Sequence, residues 1–195
     1  MNERKADHPI DPLFLERWSP RAFDMSDMPE ADLLTMFEAA RWAPSAFNSQ
    51  PWRFLYARRS DEHWALFLDL LIPWNQGWAH SASALVYVLS DEFPTLDRHG
   101  NPKPSQTHSF DAGAAWASLA LQAARMGYFA HGMSGIEHER AREQLRLPET
   151  VYLNAAVAIG RIGDPAILDE KQRAREYPSD RKPQSDFVFK GPYPL

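Results

Sequence analysis

Residues 110–126 form a run that, as an α-helix, is apolar nearly all round and unusually rich in alanine. Few architectures accept such a helix. Without a polar face to give to water it has to be buried, and its small side chains let another backbone come close. A chain of 195 residues that is 44% hydrophobic and 12% aromatic has enough apolar surface to bury it. One domain, spanning 1–195, is the default at roughly 100–200 residues. Gly127 stands at the end of the run, where helices commonly take a left-handed residue.

The rest of the chain supplies partners for that helix. Leu33, Met36, Phe37 and Ala40 fall at i, i+3, i+4 and i+7, one face of a second helix. Asp27 offers it a cap, Pro29 suits its first turn, and Pro44 ends it. A short helix is expected over Pro12–Arg17. Trp52–Ala57 reads as a strand. Residues 61–71 read as a helix, with Trp64, Leu68 and Leu71 on one side, and Pro73 opens another helical piece toward Ser81. Ala84–Leu89 and Tyr152–Ile159 read as buried strands, Tyr128–His131 as a further strand, and 137–146 as a helix. Residues 91–108, rich in Pro, Asp, Ser, His and Asn, form the longest loop signal and a candidate substrate-side loop. Helices and strands mix without a regular strand–helix–strand alternation, which predicts an α+β fold rather than a doubly wound sheet. The tail, 164–195, is Pro-rich and charged, yet Phe187 and Phe189 stand in alternation, as in an added edge strand. Such a tail is either disordered or lies on another surface.

Composition removes several chemistries. The chain has no cysteine, which excludes disulfides, thiolate nucleophiles, cysteine-based zinc sites and iron–sulfur clusters. Lys plus Arg is 21 against 26 for Asp plus Glu, a net charge of −5. There is thus no overall pull on nucleic acid or anionic lipid, and any anion site must be a local cluster of basic residues. Met1–His8 is charged and shows no secretory signal, and no run of about 18 apolar residues offers a membrane span. A soluble, cytoplasmic protein is the expectation. G-x-G-x-x-G and P-loop signatures are missing, Ile136 breaks a G-x-S-x-G reading at Gly132–Ile136, and His131 with His138 does not make H-E-x-x-H.

Three clusters remain. In Arg17-Trp18-Ser19-Pro20-Arg21 two guanidiniums flank a hydroxyl, a trio able to hold a phosphate by charge and bidentate hydrogen bonds; a solvated basic turn is the plainer reading. Pro44-Ser45-Ala46-Phe47-Asn48-Ser49-Gln50-Pro51-Trp52 joins a helix to a strand with uncharged polar groups suited to a neutral heterocycle, or simply turns. Gly132-Met133-Ser134-Gly135-Ile136 allows a backbone to approach a ligand closely, and a plain loop would account for it equally.

Together, R-x-S-x-R at Arg17, Ser19 and Arg21 and P-S-x-x-N-x-Q-P-W at Pro44–Trp52 resemble the flavin-dependent nitroreductase family, over essentially the whole chain. The resemblance implies a nitroreductase-like α+β fold, with a mostly antiparallel central sheet flanked by helices and a C-terminal arm extending onto a partner subunit. It implies non-covalently bound FMN, with NADH or NADPH as electron donor. Hydride would pass in a ping-pong cycle through flavin N5 to a nitroaromatic, quinone or related acceptor. It also implies a homodimer with two FMN sites at the interface. Arg17, Trp18, Ser19 and Arg21 would meet the phosphate and ribityl chain, with Arg181 from the tail. Asn75 would face the polar edge of the ring, and Ser134 and Gly135 its N5 side. Pro44, Ser45 and Asn48 would come from the partner. Trp78 stands near N1 and O2 where many relatives carry a basic residue, and Ser134 where many carry an acid. Loss of a cation near N1 could lower the reduction potential unless another residue replaces it. Trp74, Trp78, Phe110 and 91–108 are candidate pocket walls, with core packing as the alternative for each. A reductive dehalogenase or enone reductase on the same scaffold is the neighbouring reading. A flavin carrier or sensor without turnover, or a plain interaction module, are readings of other classes.

Overall fold

The computed structural model describes residues 4–193. Met1–Glu3 and residues 194–195, the ends of the expected 1–195 span and part of the N-terminal reading, lie outside the described residues. In chain order the helices are α1 (Leu13–Glu16), α2 (Glu30–Arg41), α3 (Trp64–Asp69), α4 (Pro73–Ala79), α5 (His108–Arg125), α6 (His138–Gln144) and α7 (Glu170–Arg173). The strands are β1 (Trp52–Arg58), β2 (Ala84–Asp91), β3 (Thr95–Leu96), β4 (Pro102–Lys103), β5 (Phe129–Met133) and β6 (Val151–Gly160).

Four strands make one sheet in the order β1-β2-β6-β5, every pair antiparallel. The two central strands are apolar on both faces because both faces are covered. Along β2, Leu85, Tyr87 and Leu89 join one apolar cluster, and Ala84, Val86 and Val88 the other. The period-2 alternation of a strand therefore divides a continuous apolar run between two cores. Against one face lie α2 and α5, through Leu33, Met36 and Ala40 and through Ala112, Ala115, Leu119 and Ala123. Against the other lie α3, α4 and α6, with Phe67, Leu70, Leu71, Trp78 and Ala141. The antiparallel sheet between helical layers is the α+β arrangement that the order of elements implied.

Several local expectations need correction. Asp27 does not cap α2: the helix begins at Glu30 behind Pro29, with no side-chain cap, and ends at Arg41, short of Pro44. The helix α5 is not buried all round. Its sheet-facing alanines are fully covered, while Phe110, Gly113 and Ala117 face outward from this chain. The segment 91–108 is not all loop. It carries the β3–β4 hairpin, pinned by Asp97, whose Oδ1 accepts from the N–H groups of His99 at 2.7 Å and Asn101 at 2.9 Å. The tail adds no strand to the sheet among the described residues. Gln184–Asp186 make a 3₁₀ turn that carries Phe187 off the extended path, and Phe187, Val188 and Phe189 are exposed. No helix is long and apolar enough to cross a membrane among the described residues.

Candidate functional site

The last turn of α1 delivers the chain into Arg17, whose extended backbone turns the next five residues along the protein surface. Arg4 holds that exit in place. Its Nη1 donates to the carbonyls of Leu15 at 3.0 Å and Arg17 at 2.8 Å, and its Nε to the carbonyl of Ser179 at 3.0 Å. One guanidinium thus ties the N-terminal segment, the end of α1 and the C-terminal tail together. A few residues on, the N–H groups of Arg21 and Ala22 donate to Glu176 Oε1 at 2.7 and 2.9 Å. The other carboxylate oxygen of Glu176 lies 3.8 Å from Arg21 Nη1. The backbone beyond is fixed by Asp24 N to Arg161 O (3.1 Å) and Gly163 N to Ala22 O (2.9 Å), which dock this loop on the end of β6.

These ties enclose a cleft of about 320 Å³ lined by Arg4, Arg17, Trp18, Ser19, Arg21, His131, Arg175, Tyr177, Ser179 and Arg181. Five guanidiniums meet at one place on a chain whose net charge is −5. Packing them together opposes their charge. Burial, and then the charges of Arg181 and Arg4, push Arg17 below the usual guanidinium range. Burial also lowers Arg21, with Glu176 opposing and Arg175 adding to the fall. Arginine stays protonated through shifts of this kind, so the cleft holds concentrated, mutually repelling positive charge. Arg17 Nη1 reaches Ser19 Oγ at 3.4 Å, placing the hydroxyl among the cations.

β5 leaves this cleft and leads to a second group of candidate residues. His131 is on the cleft wall; Ser134 and Gly135 follow the strand's end. The carbonyl of Gly135 accepts from Ile72 N at 3.2 Å and Asn75 Nδ2 at 3.0 Å. A Cβ at Gly135 would stand 2.5 Å from Asn75 Nδ2 and 2.6 Å from Ile72 Cδ1, so only glycine lets α4 and this turn close on each other. The N–H groups of Ser134 and Gly135 make no backbone hydrogen bond among the described residues. They are donors left for something else.

The remaining candidates are not brought together with these. Pro44, Ser45 and Asn48 do not line the arginine cleft of their own chain. Their segment is instead held as a preformed exposed knob. Ser45 Oγ accepts from Gln50 N at 3.0 Å, and buried Asp111 accepts from Ala46 N at 3.2 Å. Phe47, Asn48 and Gln50 all take positive φ, and Phe47 is 95% exposed. Left-handed backbone at a bulky aromatic is uncommon and needs its surroundings to enforce it. Trp78 belongs to the core rather than to a wall of the cleft. It is 1% exposed and packs its ring on Phe23 and His131, since α4 turns that position toward the sheet. Trp74 and Phe110 are exposed, with Phe110 on the outward face of α5.

Sequence reasoning missed half of the cleft. Arg4, Arg175, Tyr177 and Ser179 sit in segments without hydrophobic periodicity, and only the fold brings the two chain ends together. Glu176 gave no signal at all. His131 was visible as a histidine beside a glycine in a strand, a pattern too common to assign. Among the described residues, no group of acidic or histidine side chains is arranged to hold a metal ion.

A family model described as the nitroreductase family matches residues 15–76, a stretch that runs from Arg17 through the Pro44–Trp52 segment to Asn75. An uncharacterised 15.4 kDa protein of Mycolicibacterium smegmatis is 33% identical over 148 residues, covering 71% of this chain and 95% of that one. The chain belongs to the nitroreductase family. A relative named NADH dehydrogenase, from Thermus thermophilus, is 30% identical over 175 residues, 75% of this chain and 83% of its own. A crystal structure of an oxidoreductase containing FMN is 52% identical, covers 100% of this chain and 98% of that one, and superposes with a TM-score of 0.95. Membership places the arginine cleft and the Asn75–Gly135 contact in a fold whose members include a flavoprotein.

Proposed function

We propose that the protein is an FMN-dependent NAD(P)H oxidoreductase that works as a single-domain homodimer. The observation that carries this reading is the cleft of five guanidiniums and the Ser19 hydroxyl, joined by β5 to unpaired N–H groups at Ser134 and Gly135. That donor set fits a dianionic phosphate monoester at one end and a neutral, hydrogen-bonding ring at the other. Bound non-covalently there, FMN would supply hydride transfer through N5, from NADH or NADPH to a nitroaromatic, quinone or related oxidised acceptor.

The residues of this chain then have separable tasks. Arg17, Arg21 and Arg181, with Ser19, hold the phosphate, and Trp18 walls the ribityl side. Asn75 braces the Gly135 turn by its Nδ2 and keeps Oδ1 for the polar edge of the ring. The N–H groups of Ser134 and Gly135 lie nearest the reacting side. No cation stands at Trp78, which lies in the core, so any cation near flavin N1 has to come from another residue; without one the potential falls.

The dimer reading draws on two exposed features. The outward face of α5 carries Phe110, Gly113 and Ala117, a small-residue stripe with an aromatic end. The Pro44–Gln50 knob is held by its own hydrogen bonds, carries left-handed backbone and does not line the cleft of its own chain. Both are explained if a second copy packs on α5 and receives the knob, so that Pro44, Ser45 and Asn48 complete the neighbouring site. The exposed apolar residues of the tail, Phe187 and Phe189, then lie on the partner as an arm.

The first test is the absorbance spectrum of the purified protein after incubation with FMN. Flavin bands with quenched fluorescence are expected, and Arg21→Ala should weaken binding by about 1.5–3 kcal/mol, the scale of a hydrogen bond to a charged group. Absence of any flavin binding by the unaltered protein would refute the reading. Steady oxidation of NADH or NADPH with a quinone then separates an enzyme from a flavin carrier.

A further inference from the structure

We infer that His131 is a specificity-determining contact of the arginine cleft: its Nε2 accepts a hydrogen bond from a hydroxyl next to the bound phosphate. The cleft thereby selects the phosphate monoester of a polyol over a bare oxyanion without an O–H, such as sulfate. The inference rests on the FMN reading, in which the ribityl chain brings the hydroxyl.

The tautomer follows from geometry. His131 Nδ1 lies 2.9 Å from the carbonyl of Pro20. A carbonyl only accepts, so Nδ1 carries the hydrogen and, in the neutral ring, Nε2 presents a lone pair. The ring cannot easily turn away. Trp78 packs against it from the core with ring centroids 4.6 Å apart, and the Pro20 contact fixes the opposite edge. Nε2 makes no hydrogen bond among the described residues, although the ring lines the cleft.

The ring also stays neutral. Burial is the main cause, and Arg21 and Arg17 add to it, holding the His131 pKa down to about 4 against the hydrogen bond the ring donates to the Pro20 carbonyl, reinforced by the neighbouring Ser19 carbonyl. The charged groups facing it across the cleft are Arg4, Arg17, Arg21, Arg175 and Arg181, all donors without acceptor capacity. A neutral acceptor thus stands in a field of cations and pairs with none of them. An unprotonated phosphate or sulfate oxygen has only lone pairs to offer it and is turned away from Nε2. A hydroxyl on the carbon next to the ester-bearing carbon satisfies it. This gives Trp78 a purpose in the site that needs no contact with the flavin: it backs the histidine.

The test compares FMN with sulfate, a bare dianion without an O–H, on the full-length protein. His131→Asn keeps a donor near the Nδ1 position and deletes the Nε2 acceptor; His131→Gln extends an amide toward the Nε2 position. Affinities are read by flavin fluorescence quenching and by calorimetry with sulfate. His131→Asn should bind FMN about tenfold more weakly, the scale of one neutral hydrogen bond, and sulfate unchanged. His131→Gln should recover most of the FMN affinity. In 15N-histidine spectra of the unaltered protein, the His131 Nε2 resonance should move upfield on adding FMN and stay in place with sulfate alone. Unchanged FMN affinity in His131→Asn, an equal fall for FMN and sulfate, or a motionless Nε2 resonance would each overturn the assignment. Unaltered protein that binds sulfate but no FMN would overturn the flavin reading itself, and this assignment with it.

Discussion

Glu176 is a carboxylate built into the back of the arginine cleft, and replacing it by Gln should move stability and anion affinity in opposite directions. Its side chain is 2% exposed, its Oε1 accepts from two backbone N–H groups, and its Oε2 lies 3.8 Å from Arg21 Nη1. Gln keeps an acceptor for both N–H groups but makes it neutral. Hydrogen bonds to charged groups contribute about 1.5–3 kcal/mol and neutral ones about 0.5–1.5, so two weakened bonds cost about 2 kcal/mol. At about 2–4 °C per kcal/mol for a chain of this size, Tm should fall by roughly 4–8 °C. The anion experiences the reverse. A phosphate on the far side of the Arg21 guanidinium would lie about 8 Å from the carboxylate, where a unit charge at an effective dielectric constant of about 20 repels it by about 2 kcal/mol. Allowing for screening by salt, Glu176→Gln should bind FMN and phosphate roughly five- to thirtyfold more tightly. Differential scanning fluorimetry and calorimetry at one fixed ionic strength read both effects. If affinity falls together with stability, Glu176 acts mainly by orienting Arg21, and the electrostatic reasoning is wrong. If Tm does not move, the two buried hydrogen bonds contribute little.

Three further outcomes are expected. Mixing an Arg17→Ala chain with an Asn48→Ala chain should restore one intact flavin site per heterodimer; mixtures no better than the parents, both being impaired, would count against shared sites. Truncation before Tyr177 removes Arg181 with Phe187 and Phe189, residues commonly worth about 1.5–3 kcal/mol each when buried, so it should weaken dimer and flavin retention together in sedimentation and absorbance. A truncated chain that stays dimeric and fully yellow would make the arm dispensable. The third outcome concerns pH. The folded His131 pKa of about 4 lies below the ordinary 6.5. The unfolded chain therefore takes up a proton as pH falls through 6.5 that the folded chain refuses until about 4, and stability drops across that window by about 3 kcal/mol. His131→Asn should flatten this part of the urea-denaturation profile, and an unchanged slope would show that another group causes it.

Local patterns made much of the fold legible. The strand-like runs at Trp52–Ala57 and Tyr152–Ile159, the 3.6-period face of α2 and the alanine-rich run of α5 each state their own secondary structure, because burial against a neighbour requires that pattern whichever neighbour it is. Of the site, Arg17, Ser19 and Arg21 were readable as an anion cluster, since three such groups in five residues cannot avoid one another. Ser134 and Gly135 were readable as a place of close backbone approach. The errors came where a residue's role depends on what lies across from it. Phe187 and Phe189 alternate as a strand does, yet a strand also needs an edge to pair with, and the alternation does not say which chain offers it. The outward face of α5 is as apolar as its inward face, and nothing in its pattern says which one meets the sheet.

Sequence alone determined that a chain with no cysteine, an alanine-rich helix and an early arginine–serine–arginine cluster would be an α+β protein with a local concentration of positive charge. Tertiary structure decided what that site is made of. It brought Arg4 from one end of the chain and Arg175, Glu176 and Arg181 from the other onto the exit of α1. It set His131 on Trp78 and kept the Pro44–Gln50 knob away from the cleft of its own chain. The physical reason is range. Periodicity and turn chemistry act over a few residues and are written in the order of the chain. Charge repulsion, hydrogen-bond satisfaction and packing act across space, so a cluster of five like charges exists only once the fold has offset their repulsion elsewhere.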